Sequence, residues 1–449
     1  MSTSRRKFIQ KMAASSAAIT IGGVASASMP ASSYRKIIGS NDKLNIAVAG
    51  LGRRVKGYFD PIKSKESNVN LAYLCDVMDS QLEKGGKNFK DLLGYKSKQE
   101  KDVRKVLEDK DLDAIFIATP DHWHTPGAIM ALQAGKHVYL EKPCSHNMKE
   151  SELLIAAQKK YGDKVIQMGN QQRSAPLTID IIKQIHNGLI GQAYKAVAFY
   201  SNRRGEVIVP EKAAVPSGLD WDLFQGPSPR KEYMHDTWNY NWHWYGWDFG
   251  TAETGNNATH ELDVARWALQ VDYPDKVYVD ADKKHYKNDG WTMYDTMEAT
   301  FEFEGDKTIV WDGKSRNAFK TYGGERGTII YGTEGTVWVD RGMFRVYDRK
   351  GDLIKDYESA NKESGNALGG GGDTSTQHAK NFFNAIRGKE KVNSPITEGV
   401  ISQAMTHYAN LAYRIGHGFD VDAGSGKIYD RDAMNLWSRD YEPGWEPKV

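Results

Sequence analysis

Cysteine is scarce in this chain, and the sequence spacings that bind metals are missing. There are two cysteines, Cys75 and Cys144, in 449 residues, so a disulfide framework does not hold the fold together. The 12 histidines form no HExxH motif, and neither cysteine belongs to a CxxC motif. We therefore expect both thiols to behave as small buried side chains, and we expect no metal site.

Long apolar runs are also missing, apart from one near the N-terminus. Four basic residues and no acid lie in residues 1–27, whose small apolar stretch ends on Ala25-Ser26-Ala27. This layout predicts a cleaved signal peptide, and the paired Arg5-Arg6 resembles a twin-arginine signal. An uncleaved anchor and an amphipathic first helix are the alternatives. We expect an exported, periplasmic protein that has no membrane segment once the signal is removed.

The chain has little excess charge of either sign. Its formal net charge of +2 becomes −2 without the four basic residues of the predicted signal. Lysines and acids alternate along the remainder, so no bulk positive field is available to hold nucleic acid or an anionic membrane. A small neutral substrate fits this balance better.

A dinucleotide-binding motif follows a polar stretch, residues 28–43, that we interpret as a linker. The apolar run 43–49 predicts a strand that ends on Gly50-Leu51-Gly52 and leads into a helix-capable segment. Backbone N–H groups in such a turn cradle a pyrophosphate. Val55 stands where the third glycine of the fingerprint is expected.

The next predicted strand, residues 68–74, supplies the second half of the motif. It ends on Cys75-Asp76. An acid at this strand end accepts the ribose hydroxyls of an adenosine and repels a 2′-phosphate, so NAD is favoured over NADP. A turn-starting role for Asp76 is the alternative.

Strand and helix patterns then alternate. Residues 113–118 and 136–140 predict buried strands, and residues 125–134 between them predict a helix. We expect an α/β fold with an N-terminal Rossmann domain, a doubly wound parallel sheet, over residues 44–165. The second domain would span residues 166–449.

Two segments make the chain familiar. They are Ala118-Thr119-Pro120-Asp121-His122-Trp123-His124 and Ala134-Gly135-Lys136-His137-Val138-Tyr139-Leu140-Glu141-Lys142-Pro143. Both resemble the Gfo/Idh/MocA family of glucose–fructose oxidoreductase and inositol dehydrogenase. With the motif above, the resemblance implies an NAD site formed by Gly50, Gly52, Arg53, Asp76, Thr119, Pro120, His124, Glu141, Lys142 and Asn170.

The resemblance also implies the catalytic residues. The lysine of the Glu-Lys-Pro triplet contacts the hydroxyl being oxidised, and this role falls on Lys142. His260 matches a second family landmark, in which an Asp often stands four residues before the His; here that position is Asn256. An amide takes up no proton, so Asn256 is expected to position a substrate hydroxyl and His260 to act as base beside Lys142.

Candidate substrate contacts lie between these landmarks. Arg173 follows a predicted strand, residues 165–168, at the expected nicotinamide end of the cleft. Five of the 12 tryptophans fall in residues 221–247. Flat rings with a polar edge suit the apolar face of a sugar, so Trp242, Trp244 and Tyr245 are candidate substrate residues, although several of these rings are expected to fill the core.

The rest of the chain predicts an α+β domain with a large, open, mostly antiparallel sheet. Alternating runs predict five strands, at residues 276–280, 297–303, 308–311, 328–331 and 336–339, and two late amphipathic segments, 374–387 and 397–416, predict helices. Family members pack such a sheet face to face, which implies a homodimer or homotetramer.

The expected function is oxidation of a sugar, polyol or glycoside hydroxyl with tightly bound NAD. The alternative is a redox-neutral glycoside hydrolase or epimerase that oxidises its sugar transiently. The NAD-dependent glycosidases of the superfamily lack Glu-Lys-Pro, which favours the oxidoreductase. A cofactor-binding sensor is a third reading, which the presence of both Lys142 and His260 argues against.

Overall fold

The computed structural model describes residues 42–358 and 373–449. Residues Leu44–Val449 form one compact unit. The predicted signal peptide, residues 1–27, and all but the last two residues of the predicted linker lie outside the described residues.

The first sheet has six parallel strands in the order β3-β2-β1-β4-β5-β6. These strands are β1 (Leu44–Ala49), β2 (Val69–Cys75), β3 (Lys98–Glu100), β4 (Ala114–Ile117), β5 (His137–Leu140) and β6 (Ile166–Met168). The central strand β4 is buried along its whole length, as expected where helices cover both faces of a parallel sheet. The predicted doubly wound Rossmann sheet is confirmed, and its strand order reverses between β1 and β4.

The α-helices of the described chain range from four residues to twenty. They are α1 (Phe59–Lys63), α2 (Asp79–Leu93), α3 (Val103–Leu107), α4 (His124–Gln133), α5 (Met148–Lys160), α6 (Pro176–His186), α7 (Trp221–Gln225), α8 (Thr259–Leu269), α9 (Asp373–Ile386), α10 (Ile396–Ile415) and α11 (Arg431–Met434). The helices predicted over residues 374–387 and 397–416 are confirmed as α9 and α10.

Helix α9 returns to the first sheet from far along the chain. Phe382 and Phe383 are fully buried, and both rings pack against Phe116 of β4. Burying each phenylalanine contributes roughly 1.5–3 kcal/mol, so α9 is part of the Rossmann core. Its amphipathic pattern predicts a helix but does not show which sheet the helix covers.

The second sheet has nine strands in the order β14-β13-β12-β11-β7-β10-β9-β8-β15. They are β7 (Ala193–Ser201), β8 (Lys276–Asp282), β9 (Thr296–Phe303), β10 (Lys307–Lys314), β11 (Arg326–Gly332), β12 (Gly335–Asp340), β13 (Met343–Asp348), β14 (Leu353–Glu358) and β15 (Phe419–Asp420). Only the pairing of β7 with β10 is parallel, which confirms a mostly antiparallel sheet. Strand β7 was not predicted from the sequence, because six of its nine residues are buried in a row without alternation.

Helices α8 and α10 cover one face of this second sheet and close its hydrophobic core. Cys75 and Cys144 are free and buried, as predicted. No helix in the described parts of the chain is long and apolar enough to cross a membrane. In the same parts, no three His, Cys, Asp or Glu side chains cluster so as to hold a metal ion.

Candidate functional site

A cleft of about 910 Å³ opens where the strand order of the first sheet reverses. One wall follows the carboxyl ends of β1, β2, β4 and β5, where open α/β sheets bind their ligands. The opposite wall comes from the second sheet, the segment before α8 and the start of α8. The volume lies in the upper part of the range of ligand sites.

The glycine turn after β1 has the geometry that a pyrophosphate requires. Gly50 has φ +90°, and a Cβ there would lie 2.3 Å from the carbonyl oxygen of Ala118. At Gly52 a Cβ would meet no atom within 4 Å, so open space lies above this backbone. The first glycine makes the tight turn, and the second leaves room for a phosphate. These residues fit a dinucleotide.

Asp76 lies at the adenosine end of the cleft, directly after β2. Its Oδ2 accepts the backbone N–H of Leu51 at 2.8 Å, and its Oδ1 accepts that of Met78 at 3.0 Å. Burial raises the pKa of Asp76 to about 6, although these two hydrogen bonds act to lower it. Each carboxylate oxygen keeps a lone pair for a ribose hydroxyl.

The loop after β4 places Thr119 and Pro120 in the lining of the cleft, and His124 lines it from the first residue of α4. The Thr119 hydroxyl is buried and has no partner among the described residues, which suits a polar ligand. The His124 ring lies between two carbonyl oxygens, at 2.8 Å from that of Thr119 and 2.5 Å from that of Pro143. His124 therefore shapes the loop.

Glu141 lines the cleft, but one of its two carboxylate oxygens is occupied. Its Oε1 accepts from Arg54 Nε at 2.6 Å and from the Tyr58 hydroxyl at 2.8 Å. The Arg54 guanidinium holds the pKa of Glu141 below its usual value against the effect of burial. Arg54, which the sequence analysis missed, also lines the cleft, and its Nη2 has no partner in the described chain.

Lys142 lies at the floor of the cleft beside β5. Its Nζ donates to the backbone oxygen of Asn256 at 2.5 Å. Burial lowers the pKa of Lys142 to about 8, although the carboxylates of Asp121 and Glu141 oppose the shift. An amine whose pKa lies near neutrality can take or give a proton under mild conditions.

His260 lines the cleft from the first turn of α8 and is 7% exposed. Burial and the positive charges of Arg341 and Lys142 hold its pKa well below the usual value, so the ring is neutral. A neutral imidazole has one nitrogen able to accept a proton. The structure thus brings both predicted catalytic residues to one site.

Asn256 lies in a π-helical turn, Thr254–Ala258, directly before α8. The four-residue spacing between Asn256 and His260 therefore crosses from a π-helical turn into α8 and does not lie within one regular helix. The amide of Asn256 donates to Glu253 Oε1 at 3.1 Å, while its backbone oxygen holds Lys142. Asn256 lines the cleft and positions the lysine.

Among the predicted aromatic contacts, only Trp242 lines the cleft. Trp244 is buried and stacks on Trp291, with ring centroids 4.1 Å apart. The Tyr245 hydroxyl donates to the backbone oxygen of Ile208 at 2.9 Å. Neither residue lines the cleft, contrary to the prediction, because neighbouring aromatic residues in a loop point to different sides.

Arg173 and Asn170 also lie outside the cleft lining, contrary to the prediction. Arg173 forms two hydrogen bonds of 2.8 Å to the carboxylate of Asp263 and lies over the Trp267 ring. Asn170 is 1% exposed, whereas the next two residues, Gln171 and Gln172, do line the cleft. An ion pair between distant segments leaves no sequence pattern, so the engagement of Arg173 by Asp263 could not be predicted from the sequence.

The structure adds further residues of the aromatic segment to the site, among them Tyr240 and His243. The Arg53 guanidinium, from the glycine turn, lies 3.9 Å from the centroid of the Tyr240 ring and so bridges the two walls. Arg204 and Arg341 also line the cleft from the second domain. His243 lies in the tryptophan-rich segment, residues 221–247, and this composition was the sequence signal that pointed to the cleft wall.

Two family profiles match the chain. Residues 44–169 match the oxidoreductase family with an NAD-binding Rossmann fold, and residues 224–338 match the GFO/IDH/MocA C-terminal domain. The chain belongs to the Gfo/Idh/MocA family. Its first 126 matched residues contain the glycine turn, Asp76 and Lys142, so this part is an NAD-binding Rossmann domain.

Curated relatives of this Gfo/Idh/MocA protein include two kinds of enzyme. A glycosyl hydrolase family 109 protein of Saccharopolyspora erythraea is 25% identical over 254 residues, 51% of this chain and 55% of the relative. An inositol 2-dehydrogenase of Salmonella paratyphi B is 24% identical over 149 residues, 33% of this chain and 43% of the relative. The matches thus span about half the length of these relatives.

The solved structure of an aldose-aldose oxidoreductase from Caulobacter crescentus, complexed with glycerol, superimposes with a TM-score of 0.62. The two sequences are 19% identical, and the match covers 84% of this chain and all of the other. This likeness supports the fold assignment.

Proposed function

We propose that the protein is an NAD-dependent oxidoreductase that acts on a hydroxyl group of a sugar, polyol or glycoside. The observation that carries this proposal is the placement of Lys142 and His260 in one cleft with the glycine turn and Asp76. Lys142 has a lowered pKa and His260 is neutral, so both can handle the proton that an alcohol loses on oxidation.

The chemistry divides between cofactor and chain. Bound NAD supplies the carbon that accepts a hydride from the alcohol. The neutral amine of Lys142 takes the hydroxyl proton, and His260 receives it in turn or holds the sugar oxygen. The carbonyl of Asn256 keeps Lys142 in place at 2.5 Å. Trp242 offers a flat apolar face at the cleft wall.

The position of Asp76 favours NAD over NADP, because a 2′-phosphate would meet a carboxylate. Titration of both dinucleotides into cofactor-free protein tests this preference. Tighter binding of NADP would contradict it.

We also propose that the protein is exported and keeps its NAD through each cycle. The Arg5-Arg6 pair supports a twin-arginine signal, which exports folded proteins. Outside the cytoplasm no pool of free NAD is available for exchange, so the hydride must return to a second substrate or to the oxidised intermediate. Assembly as a homodimer or homotetramer is proposed from the family resemblance.

A redox-neutral glycoside hydrolase or epimerase is the second candidate. The relative named as a glycosyl hydrolase family 109 protein favours it. Both candidates begin with oxidation of the sugar, so they share Lys142 and His260 and differ in where the hydride ends.

The test is reduction of bound NAD, followed at 340 nm, on mixing with methyl glycosides, free hexoses and inositols, with product analysis. Lys142→Met and His260→Ala should keep the dinucleotide yet lose turnover by about 10²–10⁴-fold. Lys149→Met, which removes an exposed lysine paired with Glu152, is the matched control. Activity of the two site variants within a few-fold of wild type would overturn the assignment.

A further inference from the structure

Two acidic side chains act on Lys142, and they differ in what else they bind. The charges of Asp121 and Glu141 both favour the protonated form of its amine. The charge of Glu141 is already paired, because its Oε1 accepts from Arg54 Nε at 2.6 Å. Both hydrogen bonds that the Asp121 carboxylate accepts in the described chain come from neutral groups of Thr251. The negative charge of Asp121 is therefore the one left to act on the lysine.

Asp121 is held firmly at the wall of the cleft. It begins a short 3₁₀ turn, Asp121–Trp123, after β4, is 4% exposed and lines the cleft. Its Oδ2 accepts from the Thr251 hydroxyl at 2.6 Å and from the Thr251 N–H at 3.1 Å. Burial raises the pKa of Asp121, and the neighbouring His124 and Lys142 oppose that shift together with these bonds. Two donors on one oxygen favour the ionised carboxylate.

One segment of the second domain holds both the carboxylate and the amine. Thr251 packs on Gly255, where a Cβ would overlap the Thr251 hydroxyl and lie 3.5 Å from Cγ of Pro143. Asn256, the next residue, accepts from Lys142 Nζ through its backbone oxygen at 2.5 Å. The stretch that joins Thr251 to Asn256 therefore fixes the carboxylate relative to the amine.

The other groups around Lys142 do not replace this carboxylate. Arg341 and Arg326 are positive and, with burial, lower the pKa of Lys142. His243 and His260 are neutral, because burial holds the pKa of each ring well below its usual value. The carboxylate held by the second domain is therefore what balances the charge that the amine gains on taking a proton.

We propose that Asp121 is a positioning residue that acts through Lys142: its carboxylate stabilises the ammonium that forms when the lysine accepts the hydroxyl proton of the substrate. This inference rests on the proposed function. The proton passes from the hydroxyl oxygen to Lys142 Nζ, and the charge of Asp121 does not change. Asp121 thereby sets the pH at which the amine becomes neutral and keeps it a stronger base than burial alone would allow.

The charge state of Lys142 can be followed without turnover. The holoenzyme is labelled with trace acetic anhydride from pH 5 to 10, and peptide mass analysis gives the titration midpoint of Lys142, with the exposed Lys149 as internal reference. Wild type should give a midpoint of about 8. Asp121→Asn keeps the shape and removes the charge, so the midpoint should fall by roughly 1–3 pH units. Thr251→Val, which keeps the acid but removes its hydroxyl partner, should shift it the same way by less. Asp60→Asn, an exposed acid outside the cleft lining, is the matched control and should leave it unchanged.

The rate of bound-NAD reduction at 340 nm gives the second readout. In Asp121→Asn the pH at which the rate levels off should fall with the Lys142 midpoint. The plateau rate should fall by roughly 3- to 10-fold, because a weaker base accepts the proton less readily. The KM for the glycoside should change little, since Asp121 acts through the lysine.

The outcomes separate this inference from the proposed function. A Lys142 midpoint that is unchanged in both Asp121→Asn and Thr251→Val would overturn the inference, whatever the activity. A rate profile that does not follow the midpoint would overturn it as well, because the rate would then not depend on this pair. If the midpoint falls as expected but no panel compound reduces the bound NAD of wild type, the proposed function is wrong and the pairing of Asp121 with Lys142 stands.

Discussion

At the residue scale, the site places a lysine whose pKa is near neutrality among groups that do not titrate in the same range. Burial holds the pKa values of His243 and His260 well below their usual range, while that of Lys142 is lowered to about 8. Between pH 6 and 9, Lys142 is therefore the group in this cluster that changes charge.

This arrangement predicts a simple pH dependence. Lys142 must be neutral to accept the hydroxyl proton, so the rate of bound-NAD reduction should rise with unit slope as the pH increases and level off above about 8. Stopped-flow measurements at subsaturating glycoside from pH 6 to 9.5 would record it. The residual rate of Lys142→Met should no longer change slope near pH 8. A wild-type profile that is flat or falls with pH would contradict the role of Lys142 as proton acceptor.

At the scale of elements, the turn between β1 and the following 3₁₀ segment, Arg53–Tyr58, contains one glycine that the fold requires and another that cofactor binding requires. Its two glycines differ in what surrounds them. Gly50 has a left-handed φ and no space for a Cβ, whereas Gly52 has φ −68° and open space.

The two positions predict opposite outcomes of substitution. Gly50→Ala should destabilise the fold by about 1–3 kcal/mol or more, because a strained φ and a clash with Ala118 combine. Gly52→Val should keep the Tm of cofactor-free wild type but fail to bind the dinucleotide, since its side chain fills the space left for phosphate. Thermal unfolding and the 260 nm absorbance of released nucleotide distinguish them. A Gly52→Val protein that retains full NAD would place the pyrophosphate elsewhere.

At the scale of the whole molecule, the cleft is bridged from wall to wall. Arg53 belongs to the glycine turn of the first domain, and Tyr240 belongs to the aromatic segment of the second. The cation–π contact between them joins the two walls of the cleft, which favours a cofactor that stays bound.

We predict that denaturing the purified protein releases close to one NAD per chain and that turnover needs no added cofactor. Losing the contact should release the dinucleotide faster, because a cation–π interaction of about 0.5–2 kcal/mol corresponds to a roughly 2- to 30-fold change in the dissociation rate. Exchange of labelled NAD into Arg53→Ala and Tyr240→Leu measures this, and Tyr240→Phe, which keeps the ring, should match wild type. Protein that emerges empty and runs only with millimolar NAD would leave an ordinary dehydrogenase.

Local patterns in the sequence were enough to predict the Rossmann sheet, the glycine turn and Asp76, because these depend on hydrophobic periodicity or on residues close together in the chain, which a linear sequence displays directly. The placement of Lys142 and His260 in one site was predicted only by the resemblance to the Gfo/Idh/MocA family.

Only the tertiary structure decided which side chains of the aromatic segment face the cleft, that Arg173 is engaged by Asp263, and that α9 packs on the first sheet. These depend on contacts between segments far apart in the chain and on loop backbone such as Tyr240, whose φ is +75°. Neither periodicity nor motif spacing encodes the direction of a side chain in an irregular loop, because that direction is set by the packing of the two domains around it.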